Sequence, residues 1–229
     1  MCGRFTLTLT PDEIARVLAL DVVPAEAEPR YNIAPTQRVL AVTSEEPRAA
    51  VWLGWGLVPS WAKDPSIGGR LINARAETLA EKPSFRQAFR LRRCLVLADG
   101  FYEWKKEGRT KRPFYMRLRS GGPFTMAGLW ESWRSAEEEL RTCTIITTTP
   151  NALVRQLHDR MPAIVPAEAR SEWLAAGPRS ATDLQQLLGP QPAELFEAYE
   201  VSTRVGSPRV DDPGCIAAVG SRLTVPFAS

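Results

Sequence analysis

The sequence predicts an α+β fold: one domain built on a curved, largely antiparallel β-sheet flanked by short helices. Three observations predict it. Strand-like segments outnumber helix-like ones, and the two do not alternate as a parallel, doubly wound sheet would require. Each strand candidate is also short, β-branched or aromatic, and bounded by turn residues. A chain of 229 residues can bury one substantial core. Residues 1–229 are therefore expected to form a single domain.

The elements follow in chain order. Phe5, Leu7 and Leu9 alternate with Thr6 and Thr8, the period of a half-buried strand. Thr10, Pro11 and Glu13 form a capping box with proline at the first helical position, and Ile14, Val17 and Leu18 supply the apolar face of the helix that follows. A loop rich in Pro and Glu over 22–36 precedes strands at Val39–Thr43 and Ala50–Trp55. Further strands are expected at Cys94–Ala98, Phe114–Leu118, Phe124–Leu129 and Cys143–Thr149. Start and stop signals place helices at 83–91, 151–158, 166–175 and 181–188. Gly121-Gly122-Pro123 reads as a hairpin turn, Arg204–Pro213 as a loop and Cys215–Val219 as the last strand.

Composition narrows the function classes. Hydrophobic residues at 44% and charged residues at 24% exclude overall disorder, and a net charge of +3 is only a weak pull toward polyanions. Cysteines at 2, 94, 143 and 215 form no C-x-x-C pair, and His158 is the one histidine. No zinc-site spacing exists, so neither metal nor cofactor is expected. Residues 1–20 lack a continuous apolar run and no 18-residue apolar stretch occurs. A soluble, cytoplasmic protein with reduced thiols and no membrane partner is expected. The chain carries no oligomer signal, and a monomer is expected.

Chemistry concentrates in a few segments. A small residue at position 2 predicts removal of Met1, which leaves the α-amine of Cys2 beside its thiol. An α-amine has a pKa of about 7.7 to 8.0 against about 10.4 for lysine, so its nucleophilic fraction near pH 7 is far larger. Such an amine forms a Schiff base with an aldehyde, and the neighbouring thiol can then close a five-membered thiazolidine ring. No internal cysteine can do this. By position alone, however, Cys2 reads first as a small residue awaiting burial.

Leu71–Thr78 places Asn73, Arg75 and Glu77 close together without the apolar period of a core element, which fits a polar site loop. In Leu97–Trp104 a strand pattern passes through a glycine turn to Glu103, flanked by Tyr102 and Trp104. Apolar surroundings raise a carboxyl pKa, which suits a general acid or base. His158 and Arg160 fall at the end of the apolar helical pattern of Leu153, Val154 and Leu157. Trp55 and Trp61 bracket a segment broken by glycine and proline, where an aromatic can stack on an unpaired base. Arg4, Arg70, Arg75 and Arg160 lie beside these segments as candidate phosphate contacts. The run Arg86, Arg90, Arg92 and Arg93 reads as a solvated face.

Six blocks, Met1-Cys2-Gly3-Arg4-Phe5, Tyr31–Thr36, Trp55–Pro59, Asn73–Glu77, Asp99–Trp104 and His158–Pro162, together resemble the SRAP family (SOS response-associated peptidase) over nearly the whole chain. The resemblance implies the SRAP fold, with a barrel-like sheet. It implies a sensor and shield of abasic sites in single-stranded DNA at stalled replication forks, acting in the cytoplasm at the nucleoid. It also implies a covalent thiazolidine link with the DNA. Carried over by motif, Cys2 is the nucleophile, Asn73 orients it or the sugar, and Glu103 is the acid/base. His158 assists ring opening and Schiff-base chemistry. Arg4, Arg75 and Arg160 hold phosphates, with Trp61 and Trp104 shaping the DNA channel.

Rival readings make different predictions. A cysteine peptidase, including one that acts on its own N-terminus, would use the Cys2 thiolate with His158 as base. An N-terminal-cysteine amidotransferase would need glutamine-binding motifs that the sequence lacks. A non-catalytic single-strand DNA module would be indifferent to Cys2→Ala.

Overall fold

The computed structural model describes residues 2–225. Strand β1 (Phe5–Leu7) leads into helix α1 (Pro11–Leu18), whose capping box forms as the sequence dictates. The Thr10 hydroxyl accepts the Glu13 N–H and the Glu13 carboxylate accepts the Thr10 N–H at 2.8 Å. Then come β2 (Arg30–Ile33), β3 (Arg38–Thr43), β4 (Ala50–Trp55) and β5 (Asn73–Arg75). Helix α2 (Arg86–Leu91) precedes a run of long strands: β6 (Arg93–Ala98), β7 (Gly100–Glu107), β8 (Thr110–Leu118), β9 (Phe124–Arg134) and β10 (Glu139–Thr148). The two-residue strands β11 (Met161–Pro162) and β12 (Ile164–Val165) are followed by α3 (Arg170–Leu174), α4 (Ala181–Gln186), β13 (Phe196–Val201) and β14 (Ala218–Leu223).

These strands form two sheets. One runs β10-β4-β3-β6-β9 and closes on itself through pairing of β9 with β10, giving a five-stranded barrel edged by β5, β11 and β12. The other is open, in the order β14-β13-β8-β7-β1-β2. All pairings between these strands are antiparallel except those of β10 with β4 and β5, so the α+β, barrel-like expectation holds. The main apolar cluster joins Phe5, Phe101, Phe114 and Phe196 of the open sheet to barrel residues such as Leu53, Val96, Leu129 and Ile145. A smaller cluster of Tyr102, Tyr115 and Tyr199 sits with Val205 and Cys215.

Several expectations need correction. The 22–36 loop contains β2, because Asp211 accepts the N–H groups of Tyr31 and Asn32 and holds that segment extended. Asn73–Arg75 is a strand, not a loop, since it pairs in parallel with β10. Gly100 is not a turn but lies within β7, where an added Cβ would lie 2.1 Å from the Tyr115 hydroxyl and overlap its ring. Over 151–158 only the turn Val154–Gln156 forms, because the chain is drawn off into β11 beside β10. The 166–175 segment splits into a 3-10 turn at Ala167–Ala169 and α3.

Gly121–Pro123 is no hairpin: β8 and β9 belong to different sheets, so the segment carries the chain from one to the other. Strand β13 was not expected, and the last strand begins only at Ala218, after Cys215 closes a short turn capped by Asp212. In the basic run, Arg93 is wholly buried and Arg92 pairs with Glu131 at 2.7 Å, so only Arg86 and Arg90 remain a solvated face.

Candidate functional site

Cys2 lies in the extended segment before β1. Phe5 pairs with Phe101, and the Tyr102 N–H donates to the Arg4 carbonyl at 3.0 Å, so this segment continues antiparallel along β7 toward Glu103. From the barrel side, β5 brings Asn73, whose Nδ2 donates to the Cys2 carbonyl at 2.8 Å. The Asn73 Oδ1 is buried without a hydrogen-bond partner among the described residues. Glu103 and His158 line one cleft of about 330 Å³ with Trp104, Lys106, Lys111 and Gly206. The four residues expected to do chemistry thus converge where the open sheet meets the barrel.

Electrostatics follow from burial. Glu103 is buried, and desolvation of its carboxylate pushes its pKa up to about 7. The buried Cys2 thiol is pushed far up, first by desolvation and then by the negative charge of Glu103. It is therefore a protonated thiol near neutral pH. His158 is lowered by burial, with Lys106 adding to the effect, so its neutral form is favoured. The Arg160 N–H donates to His158 Nδ1 at 3.0 Å, which leaves the proton of the neutral ring on Nε2. The same Nδ1 lies 2.8 Å from Asp159 Oδ1, a contact that serves the protonated ring.

The residues expected to hold DNA divide into two groups. Arg4 and Arg160 work inside the protein. Arg4 donates to Asn32 Oδ1 and the Val205 carbonyl, each at 2.7 Å, and to the Gly206 carbonyl at 3.1 Å, holding the loop that forms one wall of the cleft. Arg160 makes a two-pronged pair with Glu77 at 2.8 and 2.9 Å and donates to the Thr147 carbonyl. Arg75 and Trp61 are exposed, Trp61 at 57%, on β5 and on the β4–β5 connection. Trp104 is half-buried against Tyr102, ring centroids 6.4 Å apart. Trp61 lies outside the cleft lining, and Trp55 is a core residue packed on Phe5.

A larger cavity of about 560 Å³ lies between α1, α3 and the barrel, lined by apolar side chains with Arg170, and contains none of these residues. Among the described residues no group of three or more His, Cys, Asp or Glu could hold a metal ion, and no helix is long and apolar enough to cross a membrane.

Residues 1–208 match the model of the SOS response associated peptidase (SRAP) family. This chain belongs to the SRAP family. It is 46% identical to the abasic site processing protein YoqW of Bacillus subtilis over 94% of this chain and 99% of that one. To YedK of Escherichia coli, also named an abasic site processing protein, it is 33% identical over 90% of this chain and 95% of that one. An X-ray crystal structure of a protein from Bacteroides thetaiotaomicron has the same fold, with a TM-score of 0.85 at 29% identity, covering 95% of this chain and all of that one.

Two features of this SRAP chain escaped sequence reasoning. Lys106 and Lys111 line the cleft beside Glu103, yet neither was singled out. Their signal was available: once 100–107 is read as a strand, Trp104 and Lys106 share a face. Asn32, within the Tyr31–Thr36 block, is the other. It is buried, and its Nδ2 donates to the carbonyls of Val205, Ser207 and Val210 at 3.1, 3.0 and 2.7 Å, fixing the cleft wall.

Proposed function

We propose that this SRAP chain processes abasic sites in single-stranded DNA by forming a covalent thiazolidine crosslink through Cys2 after Met1 is removed. The observation that carries the reading is the junction of Cys2 with Asn73 and Glu103: a terminal cysteine whose carbonyl is gripped by an amide, next to a buried carboxyl with a pKa of about 7. Names of the relatives supply the substrate class.

The chemistry runs in balanced steps. An abasic deoxyribose is mostly a closed hemiacetal. A base removes the anomeric hydroxyl proton while an acid protonates the ring oxygen, and the aldehyde is released; His158 and Glu103 divide that work. The Cys2 amine adds to the aldehyde carbon, and loss of one water leaves the imine. The Cys2 sulfur then adds to the imine carbon as its proton passes by way of Glu103 to the nitrogen, closing the ring. Asn73 holds the Cys2 backbone so that amine and sulfur address the same carbon. Recognition of a missing base rests on phosphates and stacking, so binding should tolerate sequence and weaken with salt.

The peptidase reading asks for a thiolate. Burial and the charge of Glu103 both oppose one at Cys2. A route that begins at the amine does not need it.

The test is incubation of matured protein with single-stranded DNA carrying one abasic site, followed by denaturing electrophoresis and mass spectrometry. A slow-migrating adduct one water lighter than protein plus DNA is expected from the wild type and none from Cys2→Ala or from chain retaining Met1. An undiminished adduct with Cys2→Ala would falsify the proposal. Turnover of peptides by the matured protein would favour the peptidase.

A further inference from the structure

In the hairpin of β7 and β8, Lys106 stands directly opposite Lys111. Like charges in that relation destabilise a sheet, so a hairpin selected for stability alone would not keep them. The other face of the same hairpin shows what a neutralised arrangement looks like. There Glu107 pairs with Lys105 at 3.0 Å and with Arg112 at 3.2 Å, and Arg112 also pairs with Glu200. Among the described residues, neither Lys106 nor Lys111 has a carboxylate within 4.0 Å. Both line the cleft that also contains Glu103, Trp104 and His158.

We infer that Lys106 and Lys111 form a phosphate clamp for the DNA strand, gripping the phosphodiester next to the reacting nucleotide while Trp104 packs against the neighbouring sugar or base. The inference rests on the proposed action on single-stranded DNA and adds to it a subsite that neither motif nor composition assigned. Two ammonium groups side by side suit a phosphodiester with its anionic non-bridging oxygens, and the aromatic lining the same cleft suits the adjoining nucleoside. The clamp also accounts for the unneutralised like-charge pair: the missing counter-charge arrives with the substrate.

Binding is measured by fluorescence anisotropy on the full matured chain, using single-stranded DNA with a tetrahydrofuran abasic analogue. That analogue has no aldehyde, so the readout is equilibrium binding alone. The slope of log K against log salt is expected to flatten by about 0.7 in each of Lys106→Gln and Lys111→Gln, the value for one phosphate contact on a single strand. Lys105→Gln, on the neutralised face, should keep the wild-type slope. Melting temperatures of the two cleft variants should equal or exceed wild type, because the substitution removes a repulsion; weaker binding then cannot come from unfolding.

Wild-type slopes in both cleft variants, or an equal flattening in Lys105→Gln, overturn the clamp. Crosslinking of true abasic DNA by the wild type is scored in parallel. Its absence would count against the covalent reading alone, while the slopes still decide the clamp.

Discussion

In the proposed crosslinking, the protonation state of Glu103 governs the proton transfers. A carboxyl normally ionised above pH 4.5 is held in part as the acid up to about pH 7, because burial removes the water that would solvate its charge. It can therefore both give and take a proton at neutral pH. Glu103→Gln should slow crosslinking by about two orders of magnitude or more and remove the inflection near pH 7 from the rate profile, measured in single-turnover gel assays. The same shift affects stability with a definite sign. Between about pH 4.5 and 7 the folded chain holds a proton that the unfolded chain has released, so this contribution is complete below 4.5 and is lost as pH rises through 7. Relative to wild type, Glu103→Gln should gain on the order of 1–3 kcal/mol between pH 5 and pH 8, read from denaturant midpoints at each pH. An unchanged difference across that range would refute the sign.

Secondary elements reveal a second role for a charge that looked exposed in sequence. Arg93 is buried at the start of β6 and donates to five carbonyls: Phe89 and Arg90 at the end of α2, and Trp173, Ala175 and Gly177 around the end of α3. One guanidinium thereby satisfies the C-terminal carbonyls of two helices and locks both against the barrel. Arg93→Ala should cost about 3–5 kcal/mol, measured by urea unfolding, because several buried acceptors lose their donor together.

The β4–β5 connection offers a contrasting case. Gly56, at φ 140°, meets Gly68 so closely that a side chain on either would lie 2.7 or 2.6 Å from the other's carbonyl oxygen. Trp133 Nε1 adds a bond to the Ala62 carbonyl at 2.7 Å. This broken segment is thus a fixed platform for the exposed Trp61. Trp61→Ala is expected to weaken single-strand binding by about 1–3 kcal/mol with no change in salt slope, the signature of stacking as distinct from phosphate contact. A flattened slope would assign Trp61 a different role.

At the scale of the whole molecule, the barrel is closed tightly at Gly128 of β9, where an added Cβ would lie 2.8 Å from Cys94 Sγ and 2.9 Å from the Thr144 carbonyl. Gly128→Ala should cost about 1–3 kcal/mol of stability by overpacking, seen as a lower melting temperature. The site depends on that closure, because Cys2 and Glu103 come from the open sheet whereas Asn73 comes from a strand docked on β10 of the barrel. Sequence alone determined what depends on local pattern: the α1 capping box, the cores of β3, β4, β6 and β9, and the α+β class; Cys2, Asn73, Glu103 and His158 it offered only as candidates, through motifs that resemble the family. Their residue types and immediate neighbours carry that information, through side-chain period, capping and intrinsic chemistry.

Tertiary structure alone decided the rest. It made a strand of Asn73–Arg75, divided β8 from β9 at Gly121–Pro123, sank Arg93 into the core and turned Arg4 and Arg160 inward to carbonyls and Glu77. It also set Lys106 against Lys111 beside the cleft. Apart from the local β7–β8 hairpin, these outcomes depend on segments distant in the chain, and a charge or a short polar run takes its meaning from the partner that the fold supplies.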